Sequence, residues 1–238
     1  MHNQEPLIHG HFYHIYNCGI NGETLFRGSS NYERFLHLYD QYIESVAETY
    51  AWCLMGNHLH LLVRIKSEEE VGYYKYSSKL NADRSDDAVR FYKEHKWEIT
   101  TDLSAPIAIG EEPDRVIPLK KPAPTKHFSH LFNAYAKYYN KRYKRHGALF
   151  ERPFRRKRID NRAYFKNVLL YIHHNPVHHG FCEHQMDYPW SSYLTCVSVK
   201  STKLQRDKVI GWFDNVGNFK TRHNDKVDVV GMEKWLGL

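Results

Sequence analysis

Two histidines, His58 and His60, stand one residue apart inside the apolar run "WCLMGNHLHLLVRI", Trp52 to Ile65. A run this rich in Leu, Val and Ile reads as a buried strand, and successive strand residues point to opposite faces. His58 and His60 therefore share one face, about 7 Å apart along it, with Leu59 and Leu61 on the other. A lone strand histidine is usually half-buried with its hydrogen bonds met, whereas a pair on one face can converge on a single ion. Zinc would ask for a third N or S ligand, and "HHNPVHHG" supplies candidates from His173 to His179. Mg2+ or Mn2+ would ask for oxygen donors, substrate phosphate among them. A second pair lies far along the chain. Tyr164, Val168, Tyr171 and Asn175 fall on one helical stripe, so Tyr171 and Asn175 project together one turn apart. A helical Tyr is ordinarily packing with its hydroxyl at a boundary, and an Asn before Pro ordinarily ends a helix. Beside a metal pair and a phosphate-binding segment, the same two residues gain a chemical reading.

That segment is visible in the charge distribution. Sixteen Lys and Arg but only two acids lie between Arg115 and Lys166, a net of +14, while the rest of the chain carries −7. Such an imbalance points to a polyanion partner and favours Mg2+ or Mn2+ over zinc. Phe132, Tyr135, Tyr138, Tyr139, Tyr143, Phe150 and Phe154 are interleaved with the cations, and rings among cations suit unpaired bases, which stack. The backbone-contact candidates are Lys137, Lys141, Arg142, Lys144, Arg145, Arg152, Arg155, Arg156 and Arg158.

The elements that must position these residues follow from periodicity. Residues 11–17 alternate as a first strand. "SSNYERFLHLYDQYIESV" is a helix with cap candidates Ser29 to Asn31, and Tyr50–Met55 with His58–Ile65 make a strand pair turning at Gly56-Asn57. Strand, helix, strand, strand is the first half of a ferredoxin-like sheet. Residues 66–126 are polar and loop-rich, an insertion in which "DDAVRFYKEHKW" is one short helix. The basic stretch 127–145 is a helix ending at Gly147, followed by a basic strand over "FERPFRRKRID". The next helix is capped at Asp160 or Asn161 and stops near Pro176. One domain over 1–197 and a tail over 198–238 are expected, the tail holding one helix, "RDKVIGWF". Cys18, Cys53, Cys182 and Cys196 form no C-x-x-C pair. The expected setting is a reducing cytoplasm without membrane association.

"YHIYNCGINGETLF", "YAWCLMGNHLHLLVRI" and "YIHHNPVHHGF…YPWSSY", in this order, resemble the single-tyrosine HUH transposases, in particular the REP-associated tyrosine transposase branch. The likeness covers about residues 8–65 and 127–195. It implies an α+β fold, a ferredoxin-like antiparallel sheet with helices on its faces. It implies His58 and His60 as metal ligands, Asn175 as the third, Tyr171 as nucleophile, and Mg2+ or Mn2+ as cofactor. The implied reaction cleaves and rejoins single-stranded DNA beside a hairpin through a 5′-phosphotyrosine. The long insertion and the histidines before Asn175 depart from the family pattern; His174 is a competing ligand. A homodimer that exchanges tyrosine helices is left open. Tyr138 and Tyr139 are the next candidates for nucleophile. Because the ligating imidazoles must be neutral, activity is expected to fall below about pH 6. Two alternatives remain: a non-catalytic nucleic-acid-binding relative, and a zinc hydrolase built on the His pair.

Overall fold

The computed structural model of the protein describes residues 6–75, 98–100 and 121–236. Four strands form an antiparallel sheet in the order β2-β3-β1-β6: β1 is Phe12–Cys18, β2 Ala47–Met55, β3 His58–Ile65 and β6 Arg155–Ile159. Short strands β4 (Tyr73–Lys75) and β5 (Glu98–Thr100) pair separately, after the single-turn helix α2 (Glu68–Val71). This is the ferredoxin-like sheet expected. The segment 86–97, expected as a helix, lies outside the described residues, as does most of the insertion.

Alternation along β3 divides the molecule into two layers. Leu59, Leu61, Val63 and Ile65 enter one core with Phe35, Leu38 and Tyr42 of α1 (Ser29–Ile43). Phe128, Leu131, Phe132, Tyr135 and Tyr139 of α3 (Pro124–Arg142) complete that core. Leu62 enters the other, with Val168, Leu169, Tyr171 and Ile172 of α4 (Arg162–His178). Each fully buried side chain of this kind contributes about 1.5–3 kcal/mol. On the Tyr171 stripe, Val168, Tyr171 and Asn175 are buried while Tyr164 at its start is exposed.

Several boundaries differ from expectation. The cap of α1 is Gly28, and Asn31 instead accepts a hydrogen bond from Arg27 N at 3.1 Å. α3 begins with Pro124 in its first turn, where the missing N–H costs nothing. It ends at Arg142: Lys144 takes φ 49° and Arg145 N bonds back to Asn140 O, so Lys144 and Arg145 lie beyond the helix. Of the two cap candidates for α4, Asn161 is the one used, its side chain accepting from Tyr164 N at 2.8 Å. Pro176 does not stop α4, which runs to His178; near the end of a helix proline removes one donor without ending the element.

The segment read as a tail with one helix holds three, α6 (Arg206–Trp212), α7 (Val216–Asn224) and α8 (Val229–Leu236), after the short α5 (Tyr193–Val197). Phe213, Phe219, Met232 and Leu236 join the core around α4. A chain of buried hydrogen bonds anchors them: Ser192 Oγ to His173 Nε2 at 2.8 Å, His173 Nδ1 to His223 Nε2 at 2.9 Å, and His223 Nδ1 to Phe219 O at 2.7 Å. The Ser-His-His sequence has a hydrolase look, but Ser192 and both rings are solvent-free and the Ser192 hydroxyl also receives Trp52 N at 2.8 Å. It is a structural lock. The four cysteines are unpaired, and no described helix is long and apolar enough to cross a membrane.

Candidate active site

The register of β1 on β3 builds one wall of the site. Cys18 lies opposite His58, Tyr16 opposite His60 and His14 opposite Leu62, so His14, Tyr16, His58 and His60 share a face. The turn before His58 is tight: Gly19 N bonds Asn57 O at 2.8 Å, and a Cβ on Gly19 would stand 1.9 Å from Glu23 O. Asn57 in turn fixes the first ring, His58 Nδ1 to Asn57 Oδ1 at 2.8 Å, which leaves His58 Nε2 as a lone pair. His60 Nδ1 meets His14 Nε2 at 3.0 Å, the rings stacked at 5.1 Å. With His60 as donor in that bond, its Nε2 too is an open ligand atom.

α4 supplies the opposite wall. The Tyr171 ring stands edge-on to His60 at 5.5 Å and to His14 at 6.1 Å. Asn175 Nδ2 donates to Tyr171 O at 3.0 Å, which fixes the amide so that Oδ1 is an acceptor. Oδ1 is buried and makes no hydrogen bond of regular geometry. Burial lowers His58 and His60 and raises Tyr171, and the nearby Asn175 side chain partly offsets all three. A buried acceptor left unpaired costs about 1–3 kcal/mol. An oxygen donor without a partner, beside two imidazoles with free lone pairs, fits a divalent ion.

Two findings were not foreseen. Tyr171 is only 2% exposed, and His60 3%, so the phenol faces the rings but is closed to solvent. Burial, the largest cause, pushes the Tyr171 phenol up to about 12, with the Glu233 carboxylate adding to it. The second is a group of further residues around the pair. His14 stacks on His60, His179 lies 5.0 Å from His58, and Glu233 comes from α8. His14 was within reach of the sequence, since alternation puts Phe12, His14 and Tyr16 on one face; Glu233 had no local signal. His174 does not compete for the pair: its Nε2 is held by His223 O at 2.6 Å.

Burial drives the rings towards neutrality. His14 is pushed down to about 3, His58 to about 4 and His223 to about 3, with His60 well below its usual range. Without an ion, the His58 ring takes up its proton only under more acid conditions, near 4, burial being the largest cause. Such rings bind fewer protons folded than unfolded. Their contribution is complete above 6.5 and is lost as pH falls from there towards the folded values. The expected cost is about 1.4 kcal/mol per ring per pH unit in that window. Urea unfolding at about pH 7 and about pH 5 should show a clear fall in midpoint; a constant midpoint would mean the rings are not held neutral.

The basic residues are divided between layers. Lys137, Lys141 and Arg142 are exposed on α3, and Lys144 beyond it, across the sheet from the His pair. Arg145 is committed to Glu23 at 3.2 Å and to Ala148 O at 2.8 Å. Arg152, which donates to Asn133 Oδ1, and Arg156, over the Phe154 ring, line a cleft of about 470 Å3 between α3 and β6. On β6 the register places Arg155 opposite Tyr16 and Lys157 opposite His14, on the site's face, and Arg158 opposite Tyr13 on the other. Arg158 pairs with Asp160 at 2.7 Å. Lys157, within the basic strand, lies 5.2 Å from the Trp235 ring. Tyr139 is buried in the opposite core, its hydroxyl on Thr24 O, and Tyr138 packs against the same core, so neither stands near the His pair.

No family model and no curated protein sequence matches this chain. Among solved structures, it is similar to a REP-associated tyrosine transposase bound to a REP hairpin. That match has 14% identity and a TM-score of 0.52, over 83% of this chain and 85% of that one. At this identity the likeness establishes the shared α+β fold.

Proposed function

We propose that the protein is a divalent-ion-dependent nuclease and strand transferase for single-stranded DNA, acting beside a hairpin through a 5′-phosphotyrosine on Tyr171. The carrying observation is the meeting of His58 and His60 from β3 with Asn175 and Tyr171 from α4, with Asn175 Oδ1 unpartnered among them. The fold shared with a transposase bound to a DNA hairpin supports the same reading.

His58 Nε2, His60 Nε2 and Asn175 Oδ1 would hold Mg2+ or Mn2+. The ion, when bound, neutralises charge on a non-bridging oxygen of the scissile phosphate. The Tyr171 oxygen attacks phosphorus in line as its proton leaves to water, the O–P bond forms as the bond to the 3′ oxygen breaks, and the departing 3′ oxygen takes up a proton from water to become the free 3′-OH. Bond energy stays in the phosphotyrosine, so rejoining needs no nucleotide cofactor; no phosphate-cradling G-x-x-x-x-G-K-[ST] loop occurs in the chain. A phenol near 12 is ionised in about one molecule in 10^5 at neutral pH, so Asn175, which favours the phenolate, has catalytic weight. Because Tyr171 is closed off, the substrate has to displace part of the layer over it.

β6 is an edge strand with cations on both faces, Arg155 and Lys157 on one and Arg156 and Arg158 on the other. It links the site to the basic layer and is the expected path of the DNA backbone. Binding should weaken steeply with salt, and Lys157→Ala should lower the log-log slope by about one unit. An unchanged slope would take Lys157 off that path.

The deciding experiment is incubation with hairpin-bearing single strands and Mg2+ or Mn2+. A protein–DNA band that survives SDS is expected, and its absence with both ions would overturn the proposal. The burial of Tyr171 favours one second reading, a binding-only protein, which predicts hairpin binding unaffected by EDTA and no adduct.

A further inference from the structure

Beside the site, but outside its proposed ligand set, three donors converge where the end of α4 meets α8. His178 is the last residue of α4, His179 its C-cap, and Glu233 lies on α8. One ligand atom from each lies within 4.8 Å of the others, and His178 Nε2 stands 3.7 Å from Glu233 Oε1. We propose that His178, His179 and Glu233 form a second ion site, for a transition metal of the zinc class, that clasps α8 to the end of α4.

The donor chemistry selects the ion. Two imidazoles and one carboxylate are a zinc set, completed by water or a fourth protein ligand, whereas Mg2+ prefers oxygen alone. Water completes the set: the neighbouring His58 ring, 5.0 Å from His179, has its Nδ1 held by Asn57 and its Nε2 committed to the proposed catalytic ion. Access is open, since His178 and His179 are exposed and Glu233 half-buried, in contrast to closed His60 and Asn175. An ordinary ion pair accounts for the cluster poorly. His178 attracts Glu233 by charge only when protonated, and at 3.7 Å the two atoms stand beyond hydrogen-bond distance. A metal ion binds the neutral rings and the carboxylate together.

The clasp would act on a helix otherwise secured by few polar contacts. Leu236 O accepts from Tyr16 Oη at 2.9 Å, and Trp235 stacks on Tyr164 at 4.8 Å. Met232 and Leu236 share the core with Tyr171. An ion at the clasp therefore fixes the element packed around the buried phenol.

The test is zinc titration of metal-free full-length protein by calorimetry, with thermal unfolding alongside, for wild type, Glu233→Gln, His178→Ala and His60→Ala. Glu233→Gln and His178→Ala should each weaken one zinc equivalent by roughly 100-fold or more and abolish the zinc-induced rise in Tm that this equivalent produces. His60→Ala should retain that equivalent, which separates the clasp from the ion proposed for catalysis. The metal-free circular dichroism of Glu233→Gln and His178→Ala should match wild type, since His178 is exposed and Gln keeps the shape of the half-buried Glu233 side chain. Wild-type zinc affinity and stoichiometry in both Glu233→Gln and His178→Ala would overturn the proposal. So would loss of all zinc binding in His60→Ala.

Discussion

Tyr171→Phe should abolish the SDS-stable adduct with hairpin DNA, a loss on the order of 10^4-fold or more, as expected when a nucleophile is removed. The substitution deletes one hydroxyl from a ring that keeps its packing against His60 and His14. Folding and hairpin binding should therefore stay near wild type. The layering of the fold sharpens the result, because Tyr138 and Tyr139 lie across the sheet and cannot replace Tyr171. An adduct that persists in Tyr171→Phe would mean the wrong phenol has been assigned. Mass spectrometry of the DNA-linked peptide gives the check. Since Tyr171 is buried, a slow onset of adduct formation in the wild type, faster in mild urea, is the accompanying signature of a closed layer.

The second large effect is expected from His60→Ala. It removes a ring that lies 5.5 Å from that of Tyr171 and leaves His14 Nε2 without its 3.0 Å partner. Ion-dependent cleavage should fall on the order of 10^3-fold, about 4 kcal/mol of transition-state stabilisation. Some stability is lost as well, because a buried His14 is left unpaired. The two effects are separable: DNA binding at low salt depends on surface cations and should persist. Cleavage in His60→Ala that responds to Mn2+ as the wild type does would show that the ion sits elsewhere.

How much of this could be read in advance depends on the range of each interaction. The face shared by His58 and His60 follows from a local period of two, and the pairing of Tyr171 with Asn175 from a local period near four. Both were legible. The layer chosen by α3 was not. Its stripe of Phe128, Leu131, Phe132, Tyr135 and Tyr139 would cover either side of a sheet, and only packing against α1 decides. The helix that carries Lys137, Lys141 and Arg142 therefore stands across the sheet from the His pair, while Arg155 on β6 lies on its face. His14 was recognisable as a face-sharing residue, but its partner was set by the long-range register of β1 on β3. Glu233 depends on three short C-terminal helices of seven to nine residues. At that length tertiary contacts, not propensity, determine whether and where a helix forms. Pro176 misled for a similar reason: a rule about helix interiors was applied to a final turn.

The hairpin at Gly56 and Asn57 sets the phase of everything downstream in β3. Removing one residue there, for instance Gly56, would shift the strand by a single step and exchange its two sides. Both imidazoles would be driven into the greasy layer under α1, and Leu59 and Leu61 would take their place before the phenol. No graded impairment is then available. A frame error of one residue would cost the ion cradle and the packing beneath it together, so natural variation in loop length at this turn should be absent from any working copy of the protein.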